Sequence, residues 1–164
     1  MDPQSFTELP PNKAVKDVFE DLLGREIEVR PSGDRTPWGP EHLTMEAVYV
    51  DDQMRMRAVI VTDLALTAYA AAAIGLVPPG GAEAAIEDGE LSETLVDNIT
   101  EVFNIMAGMF NRDGAPHVRL YAWYPPGDPA PSDVADLAAA LIGRNDLHVS
   151  IAGYGEGQIG LVIA

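Results

Sequence analysis

The stretch Leu91–Asn111, LSETLVDNITEVFNIMAGMFN, constrains the fold of this chain more than any other. It holds no proline, and its one interior glycine, Gly108, comes late. Leu91, Leu95, Ile99, Val102, Phe103, Met106, Met109 and Phe110 recur in steps of three and four, the pattern of a helix with one face in a core. Helical throughout, it would run ~30 Å at about 1.5 Å per residue, enough to cross a small domain. On the other face, at about 100° per residue, Glu93, Asp97, Glu101, Asn104, Gly108 and Asn111 fall within an arc of roughly 80°.

Most amphipathic helices carry carboxylates and amides on the wet side, so such a stripe is ordinary at first sight. Two details set it apart. It contains no Lys or Arg, hence none of the i,i+4 ion pairs that stabilise a solvated helix. Gly108 costs about 1 kcal/mol relative to Ala in a helix interior, which makes sense where something must approach the backbone closely. The stripe reads as a contact surface.

The rest of the chain supplies one domain around that helix. Its 164 residues suffice for a core without metal or disulfide, and 47% hydrophobic content is globular. The absence of cysteine removes disulfides, thiol catalysis and cysteine metal sites, and fits a reducing cytoplasm. The opening MDPQSFTELPPNK has neither a basic n-region nor an apolar h-region, so no signal peptide is expected. The alanine-rich run Leu64–Val77 is too short for a membrane span. A formal charge of −16, with Lys13 and Lys16 the only ammonium side chains, repels phosphate backbones and anionic lipid. Nucleic acid and membrane are therefore not expected as partners.

Taken in order, residues 1–12 read as a flexible leader with three prolines, and the domain as residues 13–164. Lys13–Leu23 is a helix stopped by Gly24, and Arg25–Arg30 a short strand. His42–Val50 and Met54–Val61 alternate as a hairpin across Asp51-Asp52-Gln53, with Arg55 and Arg57 on an exposed sheet face. Thr62 or Asp63 caps a helix Leu64–Ile74 closed by Gly75. Leu76–Gly89 is read as a loop, and Ser92 with Glu93 as the start of the long helix. Val118–Tyr124 is a strand, Ser132 caps a short helix Asp133–Ile142, and Leu147–Tyr154 with Gln158–Ala164 form a terminal hairpin turning at Gly155-Glu156-Gly157. This order predicts an α+β domain with its helices packed on a mostly antiparallel sheet.

Self-contained catalysis finds little to use. His42, His117 and His148 lie in separate elements with no i,i+3 or i,i+4 metal-ligand partner. There is no nucleophile elbow, no P-loop and no dinucleotide fingerprint, and Asp51-Asp52 lacks the oxygen ligands of a calcium loop. Glu101 and Asn104 remain, a carboxylate and an amide one turn apart on one face. Asn is no general base near neutral pH, but its amide both donates to and accepts from a single water. That suits it to positioning a nucleophilic water when another protein supplies the phosphoryl group, the metal and the charge stabilisation. The carboxylate would anchor a Lys or Arg of that partner.

Asp97-x3-Glu101-x2-Asn104 resembles the active-helix motif of the CheC/CheX/FliY chemotaxis phosphatases, in which Asp or Ser, Glu and Asn are followed a little over twenty residues later by proline. Pro125 and Pro126 stand at that distance, and the element order matches from about Lys13 onward. Family members commonly have Gly before the Asn, where this chain has Phe103, placed by helical phase on the core side. No second Glu-x-x-Asn occurs in the other helices, which is closer to the CheX type. The resemblance implies a CheC/CheX-like fold and a cytoplasmic enzyme that hydrolyses the aspartyl-phosphate of a CheY-like response-regulator receiver domain. It assigns Glu101 to the receiver's lysine and Asn104 to the attacking water, with Asp97 a supporting contact. Glu93, Gly108 and Asn111 complete the expected partner-binding face. The chain would need no cofactor of its own, because the receiver holds the Mg²⁺. A homodimer is implied as well, with the apolar C-terminal hairpin as the strand edge. The competing reading is a non-catalytic acidic adaptor of the same fold, binding a protein through the same face. A small-molecule domain has less support, since no convergent polar pocket can be read.

Overall fold

The computed structural model describes residues 6–164. Of the expected leader, residues 1–5 lie outside the described residues. Residues 6–11 are laid against the domain, with Thr7 and Pro10 buried and Leu9 packed on the core.

Helix α1 (Asn12–Leu23) buries Val15, Phe19 and Leu23 at helical spacing and ends on Gly24, whose φ of 63° supplies the left-handed cap. Strand β1 (Ile27–Pro31) follows, then a long loop, β2 (Met45–Val50) and β3 (Met56–Thr62). Helix α2 (Leu64–Ile74) is capped by Asp63, whose Oδ1 accepts from the Leu66 amide at 2.8 Å. Its run of alanines is a packing feature: Ala68 and Ala70–Ala73 are all buried, letting α2 lie close between the sheet and its neighbouring helices. Then come α3 (Pro79–Asp88), α4 (Glu93–Met106), β4 (Arg119–Tyr124), α5 (Ser132–Ala138), β5 (Arg144–Ile151) and β6 (Gly155–Ile163). The strands form one sheet in the order β1-β5-β6-β3-β2-β4, every neighbouring pair antiparallel. The expected α+β class, helices on an antiparallel sheet, is what the chain adopts.

Several local expectations change. The stretch read as a loop over 76–89 contains α3, in which Pro79 occupies the first turn and Ala82 and Ala85 face inward. The Pro-Pro-Gly-Gly start imitates a turn, whereas proline at a helix's first position only omits an amide that would be unpaired anyway. Helix α5 stops at Ala138, leaving Leu141 and Ile142 exposed outside it. The terminal hairpin turns at residues 152–154, with Gly153 at φ 82°, and Gly155–Gly157 belong to β6. Gly157 is needed for close approach instead: a Cβ there would strike the Leu66 amide and the Asp63 carboxylate at the start of α2.

The expected exposed face of the β2–β3 hairpin is covered. All six residues of β2 are buried. On the main face Ala47, Tyr49, Ala58 and Ile60 join α1, α2 and α4. On the other, Val48, Val50, Val59 and Val61 meet Val134 and Ala138 of α5, with Trp38 packed beside them. A register shift opposite Tyr49/Val50 moves Met56 onto this second face, so the alternation of the methionines with Ala58 and Ile60 does not continue through Arg57. Arg57 is turned to the buried Asp51, 2.7 Å from its carboxylate. The hairpin β5–β6 lies inside the sheet, flanked by β1 and β3, so it offers no edge for strand addition; the open edges are β1 and β4. The dimer surface expected from that hairpin is therefore corrected.

Candidate functional site

Helix α4 begins where Ser92 Oγ accepts from the Leu95 amide at 3.2 Å, with Glu93 favourably placed in the first turn. It buries Leu95, Ile99, Val102, Phe103 and Met106, and a 3-10 turn over Ala107–Met109 continues it. The regular helix is thus shorter than the sequence pattern suggests, and Asn111 lies beyond it.

Three side chains, Asn98, Tyr49 and Asn111, fix where α4 sits. Asn98 Nδ2 donates to the Ala71 carbonyl of α2 at 3.1 Å. The Tyr49 hydroxyl, fully buried under the helix, donates to the Phe103 carbonyl at 2.6 Å. Phe103 carries one of the last four carbonyls of α4, so Tyr49 satisfies a group the helix end leaves open. The Tyr49 ring also meets Phe110, centroids 5.4 Å apart. Finally, Asn111 is clamped to the start of β4: its Nδ2 donates to the Val118 carbonyl at 3.0 Å, and the Val118 amide donates to its Oδ1 at 2.8 Å.

Glu93, Asp97, Glu101, Asn104 and Gly108 are all exposed on the outer face, and among the described residues none of the four side chains makes a hydrogen bond or ion pair. A Cβ on Gly108 would meet nothing within 4 Å, so internal packing does not require glycine there. Phe103, which replaces the glycine of the resembling motif, is fully buried, and the stripe beside it is unbroken. Asn111 is separated from the other five, half-buried with both ends of its amide engaged.

Chemically, the face is a row of unpaired acceptors ending in a free amide, on a helix held by buried contacts. It can receive a cation and orient a small polar molecule against another surface. Among the described residues no group of three or more His, Asp or Glu is placed to hold a metal ion.

One titratable group escaped the sequence reading. Glu46, the second residue of β2, is 2% exposed on the side of the sheet away from α4, opposite Val61 and Tyr124. Its Oε1 accepts from Thr44 Oγ1 at 3.1 Å, and its Oε2 has no partner. Burial pushes its carboxyl up to about 7, against the weaker opposing pull of the Thr44 and Gly39 hydrogen bonds. Only the alternation in MEAVYV hinted at it, and that alternation placed Glu46 towards solvent.

No family model matches the chain, and no curated protein matches it by sequence. Solved structures do match in fold. FliY from Thermotoga maritima superposes with a TM-score of 0.56 at 15% identity, covering 92% of this chain and 83% of that one. The CheX–CheY–BeF3–Mg²⁺ complex from Borrelia burgdorferi gives 0.54 at 13%, covering 92% and 93%. A FliM–SpeE complex from H. pylori gives 0.60 at 8%, covering 93% and 80%. The chain has a CheC/CheX/FliY-like fold, shared with the middle domain of FliM.

Proposed function

We propose that this protein is a response-regulator phosphatase acting in the cytoplasm on the aspartyl-phosphate of a receiver domain. The observation that carries the reading is the exposure of Glu101 and Asn104 on one face of a rigidly held helix, without a partner in the described chain. The fold shared with a structure in which CheX is complexed with CheY, BeF3 and Mg²⁺ supports it. Beryllofluoride with Mg²⁺ stands in for a phosphoryl group on a carboxylate.

Glu101 pairs with a lysine of the receiver and fixes the docking register. Asn104 enters the receiver's site, where its amide accepts from and donates to one water and holds it in line with phosphorus. The water's oxygen bonds to phosphorus as the bond to the aspartyl oxygen breaks, leaving the aspartate carboxylate and inorganic phosphate. The receiver contributes the Mg²⁺. Asp97 and Glu93 widen the acidic contact, and Gly108 permits close approach of the partner's backbone. Homodimerisation belongs to the same reading.

The test is the rate of phosphate loss from each phosphorylated receiver of the host, with wild type, Glu101→Ala and Asn104→Ala. Asn104→Ala is expected to lower kcat by about 100-fold or more with KM little changed, since it removes an interaction of the transition state. Glu101→Ala is expected to raise KM. If wild type accelerates no receiver in a complete panel, the phosphatase reading is wrong. The likeness to FliM in a complex with SpeE favours the second reading, a non-catalytic acidic adaptor. An adaptor would bind through the same face with no turnover to lose.

A further inference from the structure

Among the described residues eight large apolar side chains are exposed, and three of them lie on α4 or on the elements beside it. Ile105, on the helix itself, is 44% exposed. By helical phase it lies about 40° from Glu101, on the flank that carries Asn98 and its bond to α2. On that flank also stands Leu76, 82% exposed. A Cβ on the preceding Gly75 would strike the Asn98 amide, so Leu76 leaves α2 directly beside α4. Its backbone is unusual. The Val77 amide donates to the Ala72 carbonyl and the Leu76 amide to the Ala73 carbonyl, closing α2 in a Schellman motif. That places Leu76 at φ 55°, the left-handed position that glycine normally fills. A leucine there is both strained and exposed, so nothing in the fold of this chain explains its side chain.

The third is Trp123, 42% exposed on the edge strand β4. It pairs with Ala47, whose side chain lies in the main core, so Trp123 stands on the α4 side of the sheet. Tyr49, which holds Phe103, pairs with Leu120, and β4 then runs back along α4 from its C-terminal end. Strand β4 packs against α4 and α2 occupies the Asn98 flank, so the topology puts β4, and Trp123 with it, towards the opposite flank, the side of Thr100 and Asn104. The row of Asp97, Glu101 and Asn104 therefore lies between Leu76 and Ile105 on one side and Trp123 on the other.

We propose that Trp123, Ile105 and Leu76 form an apolar rim that seats a phosphorylated receiver domain on α4, and that this rim sets affinity for the partner. The inference rests on the part of the reading above in which a receiver domain docks on α4, not on turnover. Charge complementarity specifies the occupant: three carboxylates without a Lys or Arg among them require a basic group at the centre of the partner's face. The rim requires apolar side chains around that group. Excluding water from the edge of such a contact strengthens the central ion pair, and tryptophan is enriched among the residues that anchor protein interfaces.

The full-length chain with Trp38→Phe leaves Trp123 as the single tryptophan reporter, because the sequence holds only two and Trp38 packs on the opposite sheet face. Adding receivers loaded with BeF3 and Mg²⁺ is expected to shift Trp123 emission to shorter wavelength. In the Trp38 background, Trp123→Ala and Leu76→Gly are each expected to raise KM for the phosphorylated receiver about tenfold or more with kcat unchanged. Leu76→Gly relieves the left-handed backbone, so it is expected to leave thermal stability undiminished while weakening docking. A leucine of structural importance would show the reverse. Unchanged KM in both variants, with wild type still active, overturns the rim and leaves the phosphatase reading standing. If wild type accelerates no receiver yet a loaded receiver shifts Trp123 emission, the phosphatase reading fails and the rim survives. No turnover and no shift refutes both.

Discussion

Glu46→Gln should remove most of a pH dependence that this fold carries at neutrality. The carboxyl is 2% exposed, with one oxygen held by Thr44 and the other without a partner. Its ordinary value of 4.5 is pushed up to about 7 by burial. The folded state therefore holds the proton more tightly than the unfolded chain. Stability from this group is fully present below about pH 4.5 and is lost as pH rises through about 7. At about 1.36 kcal/mol per pH interval of one, the whole effect is ~3.4 kcal/mol, of which roughly 2.5 kcal/mol falls between pH 5 and pH 8. Glutamine has nearly the shape of the protonated acid, donates one more hydrogen bond and never ionises. Comparing urea unfolding of wild type and Glu46→Gln across pH 5–8 isolates the group, because every other titrating side chain, including Asp63, which burial pushes upward, is common to both proteins. The variant should gain about 2.5 kcal/mol relative to wild type on going from pH 5 to pH 8, or a Tm difference of about 5–10 °C for a domain of this size. Parallel pH profiles for the two proteins would show that burial does not hold the proton on Glu46.

Tyr49→Phe keeps the buried ring and its contact with Phe110 but leaves the Phe103 carbonyl without its donor. A loss of about 1–3 kcal/mol in urea unfolding is expected, and no measurable change would mean the hydroxyl is not a support of α4. Because Phe103 adjoins Asn104, a modest fall in kcat should accompany the loss. For the homodimer, light scattering at micromolar concentration should give twice the chain mass; a monomer there refutes that part of the reading.

Much of the site was legible because it is local. The caps Ser92 and Asp63, the glycine stop at Gly24 and the three-and-four spacing of Leu95, Ile99, Val102, Phe103 and Met106 all express interactions within a turn or two. Phe103 was placed in the core by phase alone, although its side chain departs from the resembling motif. The face of Asp97, Glu101 and Asn104 followed from the same geometry. Helix α3 was missed because Pro-Pro-Gly-Gly suits a turn and a helix start equally, and only burial of Ala82 and Ala85 against the rest of the fold decides between them. Asn111 fell on the stripe by extrapolating a helix that the fold ends sooner, and its amide is taken by Val118.

What the chain alone determined is therefore the six strands and every helix but α3, the dry faces of α1 and α4, and the row of polar groups on α4. The tertiary structure decided everything that needed two distant segments to meet. The strand order buried the C-terminal hairpin and opened the β4 edge. The α5 layer turned the second face of β2 into a core, and the segment of Gly39 and Thr44 closes on the buried Glu46 of that face. The meeting of α2, α4 and β4 set Leu76, Ile105 and Trp123 around one helix. Periodicity reports on neighbours a few residues apart, through backbone geometry common to all chains. Pairings between strands and layers depend on which surfaces exclude water together, and that is a property of the assembled chain.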